Sequence, residues 1–127
     1  MATRTNDRSE DPRTQPLPTP LPEPSIEQIR LEKVMAALSV PLRLHIVRRL
    51  LLHAEGLDHS CGWFELDRPK SSLTHHFRVL REAGVLRQRQ YGLERRCQLR
   101  DDELEKRFPG LLTLVAHWEP EQETSES

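Results

Sequence analysis

The sequence predicts a mainly α-helical domain that carries one small β-hairpin. Three observations carry that expectation. Apolar residues recur at helical spacing in stretches between Ser25 and Gly84, and again from Leu104 to Trp118. Between Val85 and Arg100 the period falls from 3.6 towards 2, with Gly92 at the turn, as in a hairpin. Positive charge gathers on the helix before that hairpin and on the hairpin itself.

The net charge of −1 over 127 residues averages three unlike segments. Residues 1–24 hold three arginines against four acids, and 119–127 hold four glutamates and no base. The remaining 25–118 carry a net of +4, and within them 69–100 set eight Lys/Arg against Glu82 and Glu94, a net of +6. That concentration is the footprint of a phosphate-contacting surface, the alternative being an ordinary solvated face. No apolar run approaches the roughly 18 residues that span a bilayer, and no apolar signal segment opens the chain, so a soluble cytoplasmic protein is expected. Cys61 and Cys97 are read as two reduced thiols. An enzyme is not expected: there is no Gly-rich phosphate loop, no Gly-x-Ser-x-Gly and no paired carboxylates beside a cleft.

Taken in order, residues 1–24 hold six prolines and few apolar side chains, which predicts a disordered tail, extended from Pro16 to Pro24. Such a tail reads as a spacer, with a ligand for a proline-reading domain as the alternative. Ser25 to Leu38 predicts a first helix with Leu31, Val34, Met35 and Leu38 as its stripe. Ser39-Val40-Pro41 breaks it, and Pro41 opens a second helix to about His53. Its apolar residues cover most of its circumference, which predicts the central buried helix, ended by Gly56. Trp63, Phe64 and Leu66 anchor a short helix near 62–66, before a turn at Asp67-Arg68-Pro69. With the helix over 70–83, that makes a helix-turn-helix.

On the 70–83 helix, Leu73, Phe77 and Leu80 form the inward stripe. Ser71, Thr74, His75 and Arg78 fall on the opposite side, with no carboxylate before Glu82. Hydroxyl, imidazole and guanidinium groups on one helix face suit phosphates and base edges in a major groove. In the hairpin, Leu86, Cys97 and Leu99 can point inward, leaving Arg87, Arg89, Arg95 and Arg96 towards solvent or the tip, as a wing that touches phosphates or the minor groove. Asp101-Asp102-Glu103 starts a last helix, which Pro109-Gly110 should kink or split. Its stripe of Leu104, Phe108, Leu111, Val115 and Trp118 is longer than a small domain needs. With Leu31 of the first helix it is expected to form a symmetric dimer interface, the alternative being intramolecular packing.

This order of helix, helix, helix-turn-helix, wing and helix resembles the ArsR/SmtB family of bacterial winged-helix repressors. Ala37-Leu38-Ser39-Val40-Pro41-Leu42-Arg43-Leu44-His45-Ile46-Val47 is similar to the family's entry into its second helix. Ser72-Leu73-Thr74-His75-His76-Phe77-Arg78-Val79-Leu80-Arg81-Glu82-Ala83-Gly84-Val85-Leu86 is similar to its recognition helix and turn into the wing. The likeness runs from about 31 to 118. It implies a winged helix-turn-helix domain over 25–118 and a homodimer that represses from a palindromic DNA operator until an inducer releases it. It further implies that Ser71, Ser72, Thr74, His75 and Arg78, with Lys70 beside them, meet DNA. His75 and Arg78 are expected on base edges, and the serines and Thr74 on phosphate. His76 is expected to be a partly buried, hydrogen-bonded histidine.

Metal sensing is the point where this chain departs from the family. Relatives use Cys-x-Cys before the recognition helix, where Asp58-His59-Ser60-Cys61 offers one thiol. The family's Asp-x-His with His-x-x-Glu on the last helix is matched only by Asp101-x-Glu103 and Leu114-x-x-His117. A makeshift site of His53, Asp58, His59 and Cys61, with His117 as a further candidate, has ligand chemistry for zinc or nickel but no standard spacing. No cofactor is therefore assigned, and no inducer is named. The rival functional reading is a winged-helix module used for protein–protein contact without operator binding.

Overall fold

A computed structural model describes residues 16–120 of the chain. It is a winged helix-turn-helix of five α-helices: α1 Leu31–Leu38, α2 Pro41–His53, α3 Lys70–Glu82, α4 Asp101–Arg107 and α5 Leu111–His117. Three strands, β1 His59–Ser60, β2 Leu86–Tyr91 and β3 Glu94–Leu99, form one antiparallel sheet in the order β1-β3-β2. The hairpin register runs from Leu86 opposite Leu99 to Tyr91 opposite Glu94. β1 pairs His59 with Cys97 and Ser60 with Arg96, a third strand too short to be read from alternation.

Pro41 stands at the first turn of α2, where its missing N–H costs nothing. Ile46, Val47 and Leu50 of α2 are buried, and α1, α3, α5 and β3 all pack on this helix. Leu42, Leu44 and Leu51 are half-buried and Leu52 is exposed, so α2 is central although only one face is sealed. Phe77 and Leu80 of α3 meet this core, with the Phe77 ring 5.4 Å from that of Phe64. Leu86, Cys97 and Leu99 of the hairpin point inward as the alternation requires.

Three expectations are revised. The first helix begins only at Leu31: Ile26–Gln28 forms a 3-10 turn, and Ile29 and Arg30 are extended or nearly so. Ile29 leaves helical geometry because its side chain is fully buried against Gly84, where an added Cβ would meet Ile29 Cγ1 at 2.6 Å. The short helix near 62–66 is a 3-10 turn, Cys61–Phe64, stopped by Glu65 in the left-handed region. The last helix is split as expected: Pro109 and Gly110 separate α4 from α5, with Gly110 at φ 93°.

The third revision concerns the proline-rich tail. Residues 1–15 lie outside the described residues, but 16–24 run along the outer edge of β2 rather than away from the domain. The Leu21 N–H donates to the Gln88 carbonyl at 2.8 Å, and the carbonyls of Pro18, Pro22 and Pro24 accept from Arg89, Arg81 and Arg100. Lack of apolar side chains does not free this segment, because the domain holds its backbone carbonyls with arginines instead. The acidic stretch from residue 121 onward lies outside the described residues.

Candidate nucleic-acid interface

α3 is built to show one face. Pro69 fixes the backbone before its first turn, and Gly84 at φ 92° ends it in the left-handed region that glycine tolerates. Leu73, Phe77 and Leu80 are buried, while Ser71, Thr74, His75 and Arg78 are exposed, as the wheel requires. Lys70 is exposed at the helix start, and Ser72 is half-buried. No acidic group lies in the first turn.

Beside this face a cleft of about 800 Å³ separates α3 from the wing. Lys70, Thr74, Arg68 and Arg95 line it, together with Glu65 and Glu94. None of the salt bridges among the described residues involves Arg68, Lys70, Arg78 or Arg95. Among the described residues Arg95 Nε donates only to the neutral Gln90 amide, at 3.0 Å.

The other three wing arginines differ. Arg87 grips the Glu23 carboxylate with Nε and Nη2, at 2.7–3.1 Å, and lies 3.4 Å from Glu103. The Glu23 hydrogen bond raises the Arg87 pKa despite burial. Arg89 donates to Pro18 O at 2.9 Å and to Gln98 Oε1 at 3.1 Å. Both are therefore struts between the wing and the N-terminal segment, not side chains directed at the tip. Alternation alone placed them outward, but a partner from sixty or seventy residues away claims them. Arg96 is half-buried, 3.3 Å from Glu94 and 3.7 Å from Asp58, with its guanidinium over the Tyr91 ring.

His76 is half-buried, and Arg43 Nη1 lies 3.2 Å from its Nδ1. Burial lowers its pKa, reinforced by Arg43, His75 and Arg68. Arg43 Nε also donates to Ala37 O, so one guanidinium ties the end of α1 to α2 and α3.

The makeshift metal site is not assembled. His59 stacks on Trp63 at 3.9 Å with its Nε2 3.2 Å from Ala54 O, and Asp58 accepts from the Tyr91 hydroxyl at 2.8 Å. His117 Nδ1 lies 2.8 Å from Thr113 O. Among the described residues no group of three His, Cys, Asp or Glu could hold a metal ion. Burial raises the Cys61 and Cys97 thiols above their ordinary range.

The proposed dimer stripe also divides. Leu104 and Val115 are 1% and 4% exposed within the single chain and belong to its core, because α5 folds back onto α2 and α4 packs on α5 and on the Ile26–Gln28 turn. Phe108 and Leu111 pack partly against that core, and Trp118 is half-buried. Leu31 remains exposed, joined by Met35 at 57% and Leu114 at 71%, two residues outside the expected set.

No protein-family model matches the chain. Over 93 residues it is 34% identical to an uncharacterized HTH-type transcriptional regulator, YceK, of Bacillus subtilis (strain 168). The match covers 72% of this chain and 90% of that relative. The chain belongs to the helix-turn-helix transcriptional regulators. In this regulator the helix-turn-helix spans the Cys61–Phe64 turn and α3, and the wing is β2 and β3. No described helix is long and apolar enough to cross a membrane.

One residue of the regulator that sequence reasoning passed over is Arg81. It lies four residues after Phe77, on the buried side of α3, and that spacing alone marks a guanidinium needing internal partners. Its Nη1 donates to Gln88 Oε1 at 2.9 Å, and its Nε to Pro22 O at 3.1 Å.

Proposed function

We propose that the regulator binds duplex DNA with α3 in the major groove and the wing tip against the flanking backbone, acting as a homodimeric repressor of the ArsR/SmtB type. The observation that carries this reading is the exposed face of Ser71, Thr74, His75 and Arg78 on a helix whose opposite face is locked into the core. His75 and Arg78 read base edges, and Lys70, Ser71, Ser72 and Thr74 hold phosphate oxygens. Arg95 extends that contact from the wing, and Arg96 contributes less because two carboxylates already face it.

Two copies pair through α1 and α5, with Leu31, Met35 and Leu114 as the exposed apolar contacts. Pairing would place two α3 helices one helical turn of DNA apart, about 34–36 Å, and so favour a palindromic site. The test is a mobility-shift titration of the full chain against duplexes from its own upstream region, with the oligomeric state measured in parallel. Discrete, salt-sensitive binding by a dimer supports the reading. A monomer that ignores every duplex offered rejects it in favour of a protein-contact module.

A further inference from the structure

The wing and α3 are joined by more than their common core. Buried Arg81 leaves α3 and reaches both buried Gln88 on β2 and the carbonyl of Pro22. Three pieces of chain distant in sequence meet at that guanidinium. Around it, Glu23 holds Arg87 through two nitrogens, Arg100 donates to Pro24 O at 2.8 Å, and Leu21 pairs its N–H with Gln88 O. β2 is an edge strand of the sheet, so its outer side is open to pairing with another segment. The segment beside it has proline at 16, 18, 20, 22 and 24, which leaves it little conformational freedom to lose on docking.

We infer that residues 16–24 are a brace that sets where the wing stands relative to α3, with Arg81 as the positioning residue through which the brace reaches the recognition helix. No residue of the brace need touch nucleic acid. Its consequence, which rests on the proposed DNA reading, is that Arg95 meets a phosphate only while the brace is docked.

The experiment lifts the brace in the full chain. Leu21→Pro removes the N–H that Gln88 accepts, and Glu23→Lys sets a like charge against Arg87 and Arg100. Glu27→Lys makes the same charge change on an exposed side chain and serves as the control. Arg81→Gln acts from the helix side, as a second variant in case the double substitution unfolds. In the first arm, without DNA, spin labels at Leu93→Cys and Glu82→Cys in a Cys61→Ser background report the distance from wing tip to α3. A narrow distribution in the parent and in Glu27→Lys, broadened or displaced in L21P/E23K and in Arg81→Gln, supports the brace. An unchanged narrow distribution in both overturns it, whatever DNA does.

In the second arm, Arg95→Ala should lower the salt slope of duplex binding by about one in the parent. It should lower it no further once L21P/E23K is present. A purely structural segment would shift the melting temperature yet leave the Arg95→Ala decrement intact, and that result also overturns the inference. Failure of the parent to bind any duplex rejects the DNA reading instead, while the distance arm still decides the brace.

Discussion

Eight Lys/Arg fall between residues 69 and 100, and they form two populations. At the base of the wing, Arg81, Arg87, Arg89 and Arg100 are each held by a carboxylate, an amide or a proline carbonyl. On the α3 face and at the wing tip, Lys70, Arg78 and Arg95 meet no carboxylate among the described residues, and Arg96 stands between the groups. Identical side chains a few residues apart thus serve opposite ends. The first population ties distant parts of the fold together, whereas in the second Arg95 bonds only to the cross-strand Gln90 among the described residues. A cluster of positive charge in a sequence is therefore a footprint only after internal partners have been subtracted.

The sharpest way to break this division is to truncate one arginine of each kind. Arg100 has a side chain almost wholly buried, donating to Glu103 at 2.7 Å and to Pro24 O. Arg100→Ala should cost about 3 kcal/mol of stability in urea unfolding, because it strands partly buried acceptors. A loss no larger than that of a surface substitution would place Arg100 in the wrong population. Arg78→Ala should leave urea unfolding within about 0.5 kcal/mol of wild type. It should instead remove about 1–3 kcal/mol of preference for operator over random duplex. Equal discrimination by variant and wild type would reject the base-edge assignment.

A smaller contrast lies within the hairpin itself. Arg87→Ala and Arg95→Ala remove the same charge from adjacent strands. Arg87→Ala should lower stability by about 1–2 kcal/mol through loss of the Glu23 fork. Arg95→Ala should leave stability unchanged and lower the salt slope by about one. Identical behaviour of the two variants in both measurements would erase the distinction between strut and contact.

These contrasts also mark what the sequence makes legible. The exposed face of α3 is legible because helical period alone separates Leu73, Phe77 and Leu80 from Thr74, His75 and Arg78. The α1–α2 break is legible because proline at the first turn has a local cause. Long-range pairing is not local. Nothing near Arg87 announces Glu23, nothing in the proline run announces that its carbonyls will be held, and two residues of β1 are too few to alternate. The division of the expected dimer stripe has a related cause: periodicity places Leu104 and Val115 on one stripe, but does not say whether a residue of that stripe meets the chain's own core or a second copy. Arg81 was open to detection, since a guanidinium at i+4 from Phe77 falls on the core side.

The last contrast concerns the histidines beside these arginines, and its effect should be the smallest. Arg43 Nη1 can donate to His76 Nδ1 only while that nitrogen carries no proton. Burial, then Arg43, lowers the His76 pKa, and burial, then Arg49 and Arg48, lowers that of His45. The unfolded chain takes up these protons near the ordinary value of about 6.5, whereas the folded chain resists until lower pH. Their stabilisation is therefore present above about pH 6.5 and is lost as pH falls through the lowered folded values. The melting temperature of wild type should decline between pH 7.5 and 5.5 by more than that of His45→Gln/His76→Gln. Glutamine at 76 keeps an oxygen that Arg43 can use, so this variant removes the titration while sparing the joint between α2 and α3. Parallel declines in the two proteins would show that acid acts elsewhere.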